Sequence, residues 1–257
     1  MAADAPLVFA DRDLTGAWFE RCSLSHAVVR GSDVSGLEID SPWLSREDGL
    51  LVNGVDVVAY VEAELDRRFP GRALRKAETA EGLREAWVAV QSAWDAAVDR
   101  VDALPAGAAD VRVAGGWSFA ETLRHLVMAT DVWLRVSLLG VPFDEAFHPY
   151  GLPHTEFAQD GFDTSGFTEP PSYDDVLVVR AERVAMVGDH LARLTDADLA
   201  GPAVNVWAPE LPRRVVQSVH TILHEEWEHL RFALRDLEAV EEARRARGAG
   251  RDPQKLT

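Results

Sequence analysis

Apolar residues recur at every fifth position from Phe9 through Leu14, Phe19, Leu24, Val29 and Val34 to Ile39. Neither an α-helix nor a β-strand has that period. Small residues stand two places before several of them, at Ala17, Cys22, Ala27 and Ser32, with Arg12 and Leu37 breaking the pattern. After Ser41-Pro42 the period becomes helical and stays so. A linker or capping helix is expected from about Asp56 to Phe69, ended by Pro70-Gly71. The next helix opens after Thr79 and runs to about Leu104, with Leu83, Trp87, Val90, Trp94, Val98 and Val101 on one stripe. Ser118 with Glu121 has the form of a capping box and opens a helix expected to reach Gly140. Ser172 with Asp175 marks another start, continuing to about Leu194, and a last helix is expected from near Pro212 to about Ala239, before a frayed Arg-rich tail.

Four long amphipathic helices with no strand pattern among them predict a mainly α protein built on a four-helix bundle. The second and third of these helices are joined by about thirty residues, Val141 to Pro171, where antiparallel neighbours need only a few. A crossover that leaves the two helices parallel accounts for the length. The five-residue period of the first segment resembles the pentapeptide-repeat family, whose coils form a right-handed β-helix with the central apolar residue and the preceding small residue pointing inward. Seven units are less than two coils, too few to stand alone. The expected organisation is a repeat-like coil over 5–41, a linker and capping helix over 42–78, the bundle over 79–242 and a flexible tail over 243–257. An open coil end exposes unpaired strand edges, which favours docking or a homodimer.

Composition narrows the functional classes. Forty-three acidic against 26 basic side chains leave a charge of -17, which repels a phosphate backbone and argues against nucleic-acid binding. Hydrophobic residues make up 47% of the 257, enough to build a core. A single cysteine, Cys22, supplies neither an intramolecular disulfide nor a thiolate cage, as in a reducing compartment. With no basic leader before an apolar stretch and no window long enough to span a bilayer, a cytoplasmic location without membrane association is expected.

Candidate chemistry concentrates on two helices. His125 lies among Leu123, Leu126 and Met128, where a lone histidine is commonly a satisfied core residue. The last helix carries His224, Glu225, Glu226, Glu228 and His229 directly after Val219, Ile222 and Leu223. Residues four apart share a helix face, so Glu225 and His229 can grip one ion, with His125 as a third ligand. Two imidazoles and a carboxylate with an open position form a catalytic rather than a structural metal arrangement. Spacing alone leaves solvated glutamates as the alternative, and the helical wheel does not choose between Glu225 and Glu226. His220 and His224 fall on the side away from Ile222, an exposed position.

The stretches from Trp117 to Leu126 and from Leu223 to Phe232 resemble the two signature helices of the DinB-like metalloprotein superfamily. That resemblance, over roughly Ala80 to Val240, implies an up-down-down-up four-helix bundle and a divalent metal held by His125, Glu225 and His229. The metal implied is zinc, with nickel or manganese as alternatives. Glu225 in place of the commoner histidine matches the mycothiol-dependent branch. The implied activity is S-transfer from a low-molecular-weight thiol to a small electrophile, or thiol-assisted isomerisation. The thiol would be a cosubstrate, because Cys22 lies outside the bundle. The same centre with water in place of thiol implies a metal-dependent hydrolase, and a non-enzymatic metal-binding or interaction module docking through the N-terminal repeat is the third reading. Substrate-binding candidates are Trp117, Arg231 and Arg235, with His148 and His154 on the crossover; loop histidines and surface charge pairing are the plainer account of the last four.

Overall fold

A computed structural model describes residues 7–19, 22–44, 48–153, 164–167 and 170–248, and the chain divides into two compact units, 1–41 and 42–257. In the first unit the five-residue period reappears in the backbone. Left-handed residues fall at Asp11, Gly16, His26, Gly31 and Gly36, all multiples of five apart. Tight turns close at Ala17, Ala27 and Leu37, whose amides donate to the carbonyls of Leu14, Leu24 and Val34 respectively at 2.9, 2.9 and 3.0 Å. Positive φ at only the third turn residue is the type II geometry. No strand is present among the described residues of this unit. Its apolar register, expected to point inward, stays open: Phe9, Leu14, Phe19, Leu24, Val29, Val34 and Ile39 are between 46% and 67% exposed.

The second unit is mainly helical. It begins with a hairpin, β1 (Leu51–Val52) and β2 (Val55–Asp56), that helical periodicity did not predict. Asn53 and Gly54 both take positive φ, as a type I′ turn requires, and an Asn-Gly pair between apolar residues is the local signal for it. Helix α1 (Val58–Arg68) leads to a 3-10 turn, Arg72–Lys76. Gly71 precedes that turn with φ of 92°, and a Cβ there would meet the Ala89 side chain at 2.7 Å, so glycine is needed for this close approach.

Among the described residues, four long helices follow: α2 (Ala80–Asp102), α3 (Phe119–Thr130), α5 (Tyr173–Arg193) and α6 (Val215–Gly248), with the short α4 (Phe143–Ala146) in the crossover. Their starts are chemical. Thr79, Ser118 and Ser172 each accept a backbone N–H from inside the first turn, and Ser118 with Glu121 completes both bonds of the capping box. Leu83, Trp87, Val90, Trp94 and Val101 of α2 are buried against Leu123, Leu126, Val187, Leu191, Leu223, Trp227 and Leu230 in one shared core, with Val98 at its margin. Burying a large apolar side chain stabilises by about 1.5–3 kcal/mol, so this stripe holds the helices together.

The cross-helix pairs set direction. Ala77 meets His220 and Arg100 meets Glu241, so α2 and α6 run together. Ser137 meets Ser218 while His125 meets Glu225, so α3 opposes α6, and Arg84 reaching Leu191 and Leu194 makes α5 oppose α2. Beyond Thr130, α3 widens into a π-helical turn over Asp131–Val136, marked by Ser137 N–H donating to Val132 O at 3.0 Å. A second ladder pairs β3 (Pro202–Ala203) with β4 (Arg213–Arg214) just before α6. Helix α6 runs nine residues past the expected end at Ala239, to Gly248, so the start of the expected flexible tail is helical. No glycine or proline interrupts Val240–Arg247, and Arg100 holds Glu241 at 3.1–3.2 Å.

No helix among the described residues is long and apolar enough to cross a membrane.

Candidate metal centre

His125 lies in the second turn of α3, set by the Ser118 cap, and is almost wholly buried. Glu225 and His229 stand one turn apart on α6. One ligand-type atom from each of the three lies within 4.8 Å of the other two. His125 Nε2 is 3.6 Å and His229 Nδ1 3.4 Å from Glu225 Oε2, and the two imidazole rings stack with centroids 4.5 Å apart. The sequence-predicted set therefore comes together in space.

Main-chain carbonyls hold both rings. His125 Nδ1 is 3.2 Å from the carbonyl oxygen of Leu152, and His229 Nδ1 is 2.9 Å from that of Glu225. A carbonyl only accepts, so each Nδ1 donates to it, and the nitrogens nearest Glu225 Oε2 are Nε2 of His125 and Nδ1 of His229. Burial alone would raise the Glu225 carboxyl, but His125 and His229 hold it down at about 2. Burial pushes the His229 imidazole down to about 4; His125 adds to this and Glu225 opposes it. Near neutral pH the carboxylate is ionised and this imidazole neutral, the forms that bind a metal. Two nitrogens and a carboxylate oxygen suit a borderline divalent ion.

The choice between the two adjacent glutamates, open on the helical wheel, is resolved by what stands opposite. Glu226 is 1% exposed and accepts a hydrogen bond from Arg180 of α5 in the interior. Burial pushes its carboxyl up, with Arg180 opposing. Glu226 is thus committed to an ion pair, and Glu225 alone joins the histidines. His220 and His224, expected to be exposed, are half-buried instead: each ring Nε2 meets a carbonyl, of Ala77 at 2.8 Å and of Pro42 at 3.1 Å. The segment preceding α2 covers the side of α6 that the core leaves open.

Trp117 lies against the cluster, its ring centroid 4.7 Å from His125 and 6.0 Å from His229. Arg231 and Arg235 both hold their guanidinium groups over Phe232, itself 6.2 Å from His229. Arg231 also pairs with Glu228 at 3.1 Å and Arg235 with Asp236 at 2.7 Å. His148 is not brought to the three; its Nδ1 accepts from Tyr150 N at 3.1 Å, and its ring packs on Tyr150. His154 lies outside the described residues. Sequence reasoning missed the Leu152 carbonyl, since a main-chain atom has no signature in residue type. It also missed Asp131, fully buried at the start of the π turn, which accepts from Arg183 Nε and from His148 N, both at 2.9 Å. Burial raises its carboxyl, with Arg183 opposing.

Fold and site together define a mainly helical protein with a compact His/Glu/His cluster between two antiparallel helices. Residues 59–233, more than half of the chain, match the model of the DinB superfamily, and the protein belongs to that superfamily, whose members are typically metal-binding. Neither a curated protein nor a solved structure matches the chain.

Proposed function

We propose that the protein is a divalent-metal-dependent enzyme that activates a low-molecular-weight thiol, of the mycothiol kind, for S-transfer to a small electrophile or for its isomerisation. The observation that carries this reading is the convergence of three ligand-type atoms within 4.8 Å, one each from His125, Glu225 and His229. His125, Glu225 and His229 would hold the ion, and zinc is the metal this donor set favours. When bound, such an ion lowers the pKa of a thiol or water beside it, so that a nucleophile exists near neutral pH. Three protein donors, rather than the four of a closed structural site, are what leaves room for that group.

The chain's own residues do the rest. Trp117, whose plane lies 19° from that of His229, offers an apolar wall beside the centre. Arg231 and Arg235, steadied over Phe232, offer positive charge to an anionic substrate group. Cys22 belongs to the other compact unit, and the thiol in this reading is a cosubstrate. The four long helices form an up-down-down-up bundle in this reading, and the N-terminal unit is a short pentapeptide-type coil, supported by its left-handed residues at multiples of five.

The test is elemental analysis of untagged protein beside His125→Ala and Glu225→Gln variants, followed by thiol consumption with a panel of electrophiles. One equivalent of a divalent ion in the wild type, lost in both variants, with metal-dependent thiol consumption, is the expected result. Bound metal with hydrolysis and no thiol consumption would replace the transferase reading by a hydrolase. Wild-type protein that takes up no metal after reconstitution would overturn both.

A further inference from the structure

The crossover after α4 reaches the cluster through its backbone, and one buried side chain holds it there. Arg124, adjacent to His125 on α3, is 5% exposed. Its guanidinium donates to the carbonyls of Tyr150 at 3.0 Å and Gly151 at 3.4 Å, and its own carbonyl accepts from Leu152 N at 3.1 Å. No ion pair to Arg124 is present among the described residues, and burial lowers its pKa while the more distant Glu121 opposes this. A buried guanidinium satisfied by carbonyls costs desolvation that an apolar side chain of the same length would avoid. What it contributes is the position of Tyr150–Leu152. The next group along is the Leu152 carbonyl that accepts from His125 Nδ1. Asp131 fixes the other end of the segment at His148 N, so 148–152 is held at both ends by α3 and its π extension.

We propose that Arg124 is a positioning residue for the candidate metal centre: by holding the crossover at Tyr150 and Gly151 it places the Leu152 carbonyl on His125 Nδ1 and presents Nε2 to the ion. This rests on the metal reading above. An imidazole without that acceptor populates both tautomers and turns about its χ2, whereas the held ring keeps Nε2 toward Glu225, at 3.6 Å from its Oε2. Outer partners of this kind change metal affinity by about 10–100-fold.

The experiment compares wild type, Arg124→Met and Arg124→Lys. Ring-nitrogen NMR of the apo proteins, with the His125 signals assigned by their absence in His125→Gln, reads the tautomer. Competition with a chromogenic chelator reads the Zn2+ affinity, and thermal melting reads the fold. Wild type is expected to show His125 protonated at Nδ1. Arg124→Met is expected to lose that single tautomer and to bind Zn2+ about 10–100-fold more weakly at a similar apo melting temperature, with Arg124→Lys, which keeps a donor, restoring most of both. Wild-type affinity and tautomer in Arg124→Met would overturn the proposal. If Arg124→Met does not fold, wild type and Arg124→Lys still decide: protonation at Nε2 in the wild type, or a lysine variant as weak as an unheld site, overturns it. Wild type that binds no Zn2+ removes the metal reading alone, and the tautomer comparison then decides by itself whether Arg124 positions His125.

Discussion

Two polar clusters share helix α6 and differ in what completes them. Around Glu228, every carboxylate has its cation: Arg72 reaches Glu228 at 3.1 Å, Glu62 at 2.9 Å and Asp66 at 2.6 Å, and Arg75 repeats the pairing with Glu62 and Asp66. That network ties α1 and the 3-10 turn to α6 and is closed by protein alone. One residue further along, His229 meets Glu225 and His125, with one ligand-type atom of each within 4.8 Å of the other two. In the function proposed above, that cluster is completed by a positive ion, not by another side chain. Density of charged residues does not distinguish the two; the sign left over at the centre does.

The largest expected effect tests that difference directly. Replacing His125 or His229 by Ala should abolish stoichiometric divalent-metal binding, read by elemental analysis after reconstitution, while leaving the apo melting temperature close to wild type. Glu226→Gln should do the opposite. It leaves Arg180 buried without its counter-charge and should lower unfolding stability by about 3 kcal/mol in denaturant titration, with metal content unchanged. If Glu226→Gln instead loses the metal, the assignment of roles to the adjacent glutamates is reversed.

A smaller effect comes from mass action. Metal at 100 times its dissociation constant should stabilise the wild type by about 2.7 kcal/mol and His125→Ala not at all, read as a shift in the denaturant midpoint. The smallest concerns the closed network. Burial raises the Glu62 carboxyl, but Arg72, Lys76 and Arg75 outweigh that and hold it at about 2, against an ordinary 4.5. A lowered folded-state pKa stabilises above the ordinary value and loses that contribution as pH falls toward 2. Glu62→Gln should therefore cost roughly 1–2 kcal/mol at pH 7, and wild type and variant should converge between about pH 4.5 and 2. A difference that persists at pH 2 would mean Glu62 acts through packing rather than charge.

Much of the helical frame was legible because its signals are local. Thr79, Ser118 and Ser172 cap helices through bonds made within three residues, so sequence spacing contains the whole interaction. His125, Glu225 and His229 were legible from two short motifs and the four-residue face rule. Glu226 was not, because a helical wheel gives an angle but not the Arg180 that α5 brings to that angle. The hairpin at Asn53-Gly54 was legible and overlooked: two-residue strands are too short for alternation to register, and only the turn pair announces them. The half-buried state of His220 and His224 depends on carbonyls of Ala77 and Pro42, well over a hundred residues away in the chain.

The π turn in α3 gives that helix a counting function. His125 and Ser137 both meet α6, one at Glu225 and the other at Ser218. In an unbroken α-helix, side chains that far apart in sequence would point roughly 120° away from each other, and only one could face α6. The wide turn over Asp131–Val136 absorbs one residue and brings the two within roughly 20° of a common face. Winding the turn back to regular α-helix without removing a residue would leave a helix that no longer serves both ends, whereas deleting one residue together with the wide turn would keep the two on a common face. An insertion there has the opposite result: either His125 would leave the cluster or Ser137 would leave Ser218, so this one turn sets which changes of length α3 can take.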